Sequence, residues 1–120
     1  MAHFRNRHET VTILINTAVS SVISPNGEQS IDVQTPAAWT AADIAFEVSN
    51  DNVTYYPLVS SAGARVKISG VTTNAAKVYN GGAGVEAVMG WPYFRLVSVN
   101  TGTSADENQA AARTLVVILR

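Results

Sequence analysis

Along this chain apolar and polar residues trade places every second position, in short runs separated by turn-forming residues. The clearest run is Asp43-Ile44-Ala45-Phe46-Glu47-Val48-Ser49. Side chains alternate across a strand, so Ile44, Phe46 and Val48 share one face while Asp43, Ala45, Glu47 and Ser49 share the other. Asn50-Asp51-Asn52 follows, made of residue types that tolerate left-handed backbone and bond their own main chain. The next run, Val53-Thr54-Tyr55-Tyr56-Pro57-Leu58-Val59, is rich in β-branched and aromatic residues. Together these stretches predict a hairpin. Pro57 has no N–H, which places its arm at a sheet edge or at a bulge.

The same alternation predicts further strands. Val11, Ile13 and Ile15 stand against Thr10, Thr12 and Leu14; Ala18 to Ile23 is a second apolar stretch beyond the Asn16-Thr17 link. Ser24-Pro25-Asn26-Gly27 is a turn, and Glu28 to Thr35 turns Ile31 and Val33 inward. Thr35 to Ala42 breaks the pattern: Thr35 can cap a single helical turn begun by Pro36, and Trp39 either plugs one end of the core or serves as an exposed stacking platform. Arg65 to Ser69 alternates, Ala75 to Tyr79 is a weaker candidate, and Val85 to Met89 reads as strand before Gly90-Trp91-Pro92. Tyr93 to Val99 is a strand in which Arg95 needs a partner, because burying an unpaired guanidinium is costly. Leu115 to Leu119 is continuously apolar and needs cover on both faces. Helix competes for Ala110 to Leu119, but the β-branched run favours strand. The sum is about eight short strands and no long helix, which predicts an all-β, antiparallel β-sandwich or jelly-roll-like domain. We assign 9–120 to one such domain and Met1 to His8, polar with Phe4 as its lone large apolar group, to a flexible N-terminal arm.

Composition narrows the functional classes. Only 14% of the 120 residues are charged and the formal net charge is −1, so the sequence offers no clustered Lys and Arg for nucleic acid. A charge-poor surface protects poorly against association, which suggests that subunits cover part of it; an ordinary Ala- and Val-rich domain is the plainer account. Cysteine is absent, which excludes thiol catalysis, disulfides and thiolate metal sites. No apolar run approaches the roughly eighteen residues of a membrane span, and residues 1–8 have no apolar core of a signal peptide. No membrane partner is expected.

Catalytic chemistry finds little purchase. Serine-type catalysis needs a base beside the hydroxyl, and both histidines, His3 and His8, fall in the expected arm. Asp106, Glu107 and the other acids show no pairing pattern that singles out a glycosidase couple. Asn50-Asp51-Asn52 resembles a fragment of a calcium loop, but turn chemistry explains it and the twelve-residue ligand pattern is missing. Asn80-Gly81-Gly82-Ala83-Gly84 lacks the Lys-Ser/Thr of a phosphate loop. No catalytic residue, cofactor site or metal site is assigned, and the chain is not expected to be an enzyme. Tyr55, Tyr56, Tyr79, Tyr93, Trp39 and Trp91 leave open a glycan groove, against the commoner use of such aromatics in core or interface.

Several pieces, in order, resemble small virion proteins of tailed bacteriophages. They are Ala38-Trp39-Thr40-Ala41-Ala42-Asp43-Ile44-Ala45-Phe46; Ser49 to Leu58 with its aromatic-Pro-Leu end; Ser61-Ala62-Gly63; Tyr93-Phe94-Arg95-Leu96-Val97-Ser98; and Asn108 to Val116 with its Gln-Ala link. The likeness covers roughly residues 37 to 120, with Asn52 where Gly is common and Tyr55-Tyr56 where Trp is common. It implies a β-sandwich virion component on the outer surface of the capsid: a decoration, or cement, protein that bridges capsomers. Its partner would be the major capsid protein, and it would be a homo-oligomer, often a trimer. The alternative is a glycan-binding module borne on a tail or fibre. From placement alone, Phe4, Arg5, Arg7, Trp91 and Tyr93 are the expected capsid or subunit contacts.

Overall fold

A computed structural model describes residues 6–71, 73, 76–82 and 84–120. Among the described residues nine antiparallel strands form a single sheet: β1 (Arg7–Ile13), β2 (Val19–Ile23), β3 (Ile31–Gln34), β4 (Asp43–Ser49), β5 (Tyr56–Pro57), β6 (Lys67–Ile68), β7 (Val78–Asn80), β8 (Tyr93–Val99) and β9 (Arg113–Leu119). Their order is β5-β4-β8-β2-β1-β9-β3-β7, with β6 also paired to β4. The expectation of an all-β antiparallel domain with no long helix holds. The strands run on into one curled sheet, an arrangement compatible with the expected sandwich. Its two halves, β1-β9-β3-β7 and β2-β8-β4 with β5 and β6, join where Ile13 of β1 pairs with Ser20 of β2.

Alternation decides what fills the core. Ile44, Phe46 and Val48 of β4 meet Phe94 and Leu96 of β8 and, from the other half, Val11, Ile13, Ile31, Val33, Leu115, Val117 and Leu119. The Phe46 and Phe94 rings sit 6.4 Å apart at 55°, a tilted geometry of the kind aromatic pairs favour. Trp39 is buried and its indole N–H donates to the Ala42 carbonyl at 3.1 Å, so it is a plug and not a stacking platform. The continuous run in β9 splits by face: Leu115, Val117 and Leu119 point into the core, while Val116 and Ile118 lie half-buried on the outside.

Several local expectations give way to longer-range contacts. Arg7 and His8, assigned to the arm, are part of β1, opposite Leu119 and Ile118; backbone pairing to β9 captures them. Ile15 was grouped with Val11 and Ile13, but β1 ends at Ile13 and Asn16 takes φ 61°, so Ile15 rides exposed on a turn. Pro36 to Ala41 makes bends instead of a helical turn. Val85–Gly90 is a 3-10 helix, not a strand; it seats Val85 and Val88 in the core. The weak candidate at Ala75 to Tyr79 resolves to β7, Val78–Asn80, with Ala75 itself outside the described residues. Pro57 is at an edge, as its missing N–H requires. No helix among the described residues is long and apolar enough to cross a membrane.

Candidate interaction surface

The β4–β5 hairpin builds the most distinctive surface from the bottom up. Asp51 Oδ1 accepts the backbone N–H groups of Val53 and Thr54 at 2.9 and 3.0 Å and the Ser49 hydroxyl at 3.0 Å. Ser49 Oγ in turn accepts from the N–H groups of Asp51 and Asn52. Asn52 takes φ 59°, a left-handed position that suits Asn or Gly. These bonds hold the Asp51 carboxyl below its usual range, the Thr54 N–H first among them, and they give the triplet its purpose without an ion. The turn is thereby rigid, and it carries Val53 at 81% exposure and Tyr56 at 62%.

Beside the turn, on the outer face of β4 and β8, the register sets Glu47 opposite Arg95 and Ser49 opposite Tyr93. Arg95 has the partner its position demands: Nη2 lies 2.6 Å and Nε 2.8 Å from Glu47 Oε1. The same guanidinium stacks 4.3 Å over the Tyr55 ring. The Tyr55 hydroxyl donates to Asn52 Oδ1, and burial pushes the phenol up against the opposing pull of Arg95. The hairpin is clamped to the sheet by this triad, so the exposed Val53 and Tyr56 project from a fixed base. Val59, also exposed, pairs with Arg65 across the next turn; Arg65 is half-buried and its Nε and Nη2 have no hydrogen-bond partner.

The expected contact residues distribute as follows. Phe4 and Arg5 lie outside the described residues. Tyr93 is half-buried at the start of β8, beside the hairpin. Trp91 packs partly against the core, and its backbone N–H closes the 3-10 helix on Val88. Arg7 is not the free arm donor that was expected. Its guanidinium meets Glu9 at 3.0 Å and Glu28 at 3.1 Å, and donates to the Ser24 carbonyl at 2.8 Å. Ser24 Oγ then donates to the Pro92 carbonyl, between Trp91 and Tyr93. Residues 7, 24, 92 and 93 and the hairpin are thus joined at one end of the molecule, although Arg7 and Tyr93 are far apart in sequence. Glu28 and Ser24, which hold this end together, carried no signal beyond their place near a turn.

Elsewhere the polar groups serve structure. Gln109 is fully buried between the 35–42 segment and β9. It accepts from the Thr40 N–H at 2.9 Å and Arg113 Nε at 3.2 Å, and donates to the Thr40 carbonyl at 3.2 Å. Lys67 Nζ reaches buried Asp43 at 3.1 Å and Ser104 Oγ at 3.0 Å. A hollow of about 270 Å³ lies between Gln29, Ile31, Asn80, Gly82 and Glu86. Gly81 beside it must lack a side chain, since a Cβ would sit 2.6 Å from the Ile31 carbonyl oxygen. With Glu86 on its wall, it offers a phosphate repulsion instead of a cradle. Among the described residues no three His, Asp or Glu side chains cluster as metal ligands would. Compared with known proteins, the chain matches no family model, no curated protein and no solved structure.

Proposed function

We propose that the chain is a structural virion protein, a capsid decoration protein that bridges capsomers through the end of the molecule carrying the β4–β5 hairpin. The observation that carries the reading is the clamped hairpin itself, with Val53, Tyr56 and Val59 exposed on a base fixed by Asp51, Ser49 and the Tyr55–Arg95–Glu47 stack. Rigid aromatic and aliphatic groups held out to solvent lose little entropy on docking, which is how interface anchors earn affinity. The likeness of residues 37–120 to phage virion proteins supplies the partner, the major capsid protein. Low charge and the framework roles of the ionic side chains fit a building part.

The test is occupancy on purified shells of the phage that encodes the chain. Tyr56→Ala and Val53→Asp should each weaken binding by at least about tenfold, the range of a buried aromatic or apolar anchor. Equal occupancy of both variants and wild type would refute the hairpin as the capsid contact. Deleting residues 1–5 tests Phe4 and Arg5 without cutting β1, which a deletion through His8 would do. The exposed Tyr56 also supports the second reading, a glycan-binding module. Saturable binding on a glycan array, lost in Tyr56→Ala, combined with bare shells, would replace the first reading with the second.

A further inference from the structure

The sequence holds two Asn-Gly pairs, Asn26-Gly27 and Asn80-Gly81, and the fold treats them in opposite ways. In such a pair the asparagine side chain is open to attack by the next backbone nitrogen, because glycine has no Cβ to block the approach. At Asn80-Gly81 that nitrogen is occupied. The Gly81 N–H donates to the Ile31 carbonyl at 2.9 Å, at the end of the β3–β7 pairing. The Asn80 carboxamide is held too, since its Oδ1 accepts the Gly82 N–H at 2.8 Å. The space is closed as well: a Cβ on Gly81 would stand 2.6 Å from the Ile31 carbonyl oxygen and 3.1 Å from Val85 Cγ1.

Asn26-Gly27 is the reverse case. The pair lies in the turn from β2 to β3, and both residues are exposed. Among the described residues neither the Asn26 carboxamide nor the Gly27 N–H has a hydrogen-bond partner. Gly27 takes φ 81°, and nothing lies within 4 Å of the place a Cβ would occupy. The turn around the pair is nonetheless anchored. The Asn26 N–H donates to Glu28 Oε1 at 2.6 Å, and the same carboxylate oxygen meets Arg7 Nη2 at 3.1 Å.

We propose that Asn26 is a site of spontaneous deamidation, and that pairing of β7 with β3 protects Asn80 from the same reaction. The Gly27 nitrogen bonds to Asn26 Cγ, its proton passes through water to the side-chain nitrogen, the bond from Cγ to that nitrogen breaks, and ammonia leaves. The product is a five-membered succinimide. Water then opens the ring. Cleavage at Cγ gives aspartate; cleavage at the main-chain carbonyl gives isoaspartate, whose backbone runs through Cβ. No electrons are exchanged, and water is the sole co-reactant. Either product adds a negative charge to the turn, two residues from the Glu28 carboxylate that clamps Arg7. Isoaspartate also lengthens the turn by one backbone atom. The site belongs to the free chain and stands whether or not the virion reading does.

The test is to hold the folded full chain at mildly alkaline pH, where the attacking nitrogen loses its proton more readily, beside the same chain unfolded in guanidinium. Peptide mapping by mass spectrometry reads the replacement of NH₂ by OH at each asparagine, and a methyltransferase specific for isoaspartate labels the rearranged product. In guanidinium both sites should convert at similar rates. In the folded chain Asn26 should convert at least about tenfold faster than Asn80, because attack at Asn80 first requires the end of β7 to open. Asn26→Gln, whose ring would need one more atom, should remove the main acidic species seen on isoelectric focusing. Asn26 intact in folded protein after the unfolded chain has converted, equal rates at the two sites in folded protein, or an unchanged acidic species in Asn26→Gln would each overturn the proposal.

Discussion

Replacing Gln109 by Leu should destabilise the protein by about 2–4 kcal/mol, far more than loss of a surface amide. The substitution preserves approximate size and apolar stem while removing one carboxamide donor and one acceptor. Gln109 is 0% exposed. Its loss strips a partner from the Thr40 N–H, the Thr40 carbonyl and Arg113 Nε. A hydrogen bond contributes about 1 kcal/mol net, and an orphaned buried group costs about 1–3 kcal/mol. Thr40 and Arg113 are half-buried, so water relieves part of the loss and the total falls in the middle of that range. For a domain of 120 residues a stability change of 1 kcal/mol moves the melting midpoint by about 4 °C, so the midpoint should drop by about 8–16 °C. Urea unfolding at constant slope is the assay, since a changed slope would signal a changed unfolded state. Gln109→Glu retains oxygens that can accept from Thr40 and Arg113 and should cost less than Leu. A Leu variant within about 1 kcal/mol of wild type would refute the argument, because the apolar replacement would then have met no unpaired groups.

Other outcomes follow from the same reasoning. Lys67→Met leaves the Asp43 carboxylate buried without its cation, and breaking such a pair should cost about 3 kcal/mol by urea unfolding, with double replacement by Met and Leu recovering much of it. Phe46→Ala removes a fully buried ring against Phe94 and should cost about 3–5 kcal/mol. The Asp51 carboxyl is depressed in the folded state, so its contribution is present above the ordinary Asp range near about 4 and lost as pH falls through the folded value. Stability of Asp51→Asn should therefore fall less steeply than wild type below about pH 4, and parallel curves would refute the assignment.

The alternating runs were legible because they are local. Ile44, Phe46 and Val48, or Phe94 and Leu96, declare their face within a few residues, and the structure places them in the core. Arg95 announced a need for a partner, though not that Glu47 and Tyr55 would share it. What the sequence could not display were distant pairings. Nothing near Arg7 signals Leu119 or Glu28, so its assignment to an arm was the local answer to a non-local question. Val85–Gly90 is apolar enough for a strand, but burial of Val85 and Val88 three positions apart suits a 3-10 turn. Gln109 lies in a polar loop, and its burial follows from side-chain bonds with Thr40 and Arg113 and backbone bonds with Asn16 and Thr17.

The two outer faces of the curled sheet are finished in opposite ways. On β4-β8 the outward residues Ala45, Val97 and Val99 are buried with Ala18 and Val19 against them. Lys67, opposite Ala45, reaches across to Asp43 and to Thr101 and Ser104 in the following loop. Farther along the same face, the Arg95 guanidinium lies between Glu47 and the Tyr55 ring. The chain therefore spends its own loops and long side chains to cover this half. On β1-β9-β3 the outward positions Thr10, Thr12, Thr114, Val116 and Gln34 are uncharged, and at the end of β9 Arg120 reaches across to Asp32 of β3 at 2.6 Å. An uncovered sheet face usually carries Lys and Glu, which resist association. The β1-β9-β3 face meets that need with Arg120 bridged to Asp32 at one end and with threonine hydroxyls along the rest, whereas the β4-β8 face is sealed by the chain's own loops.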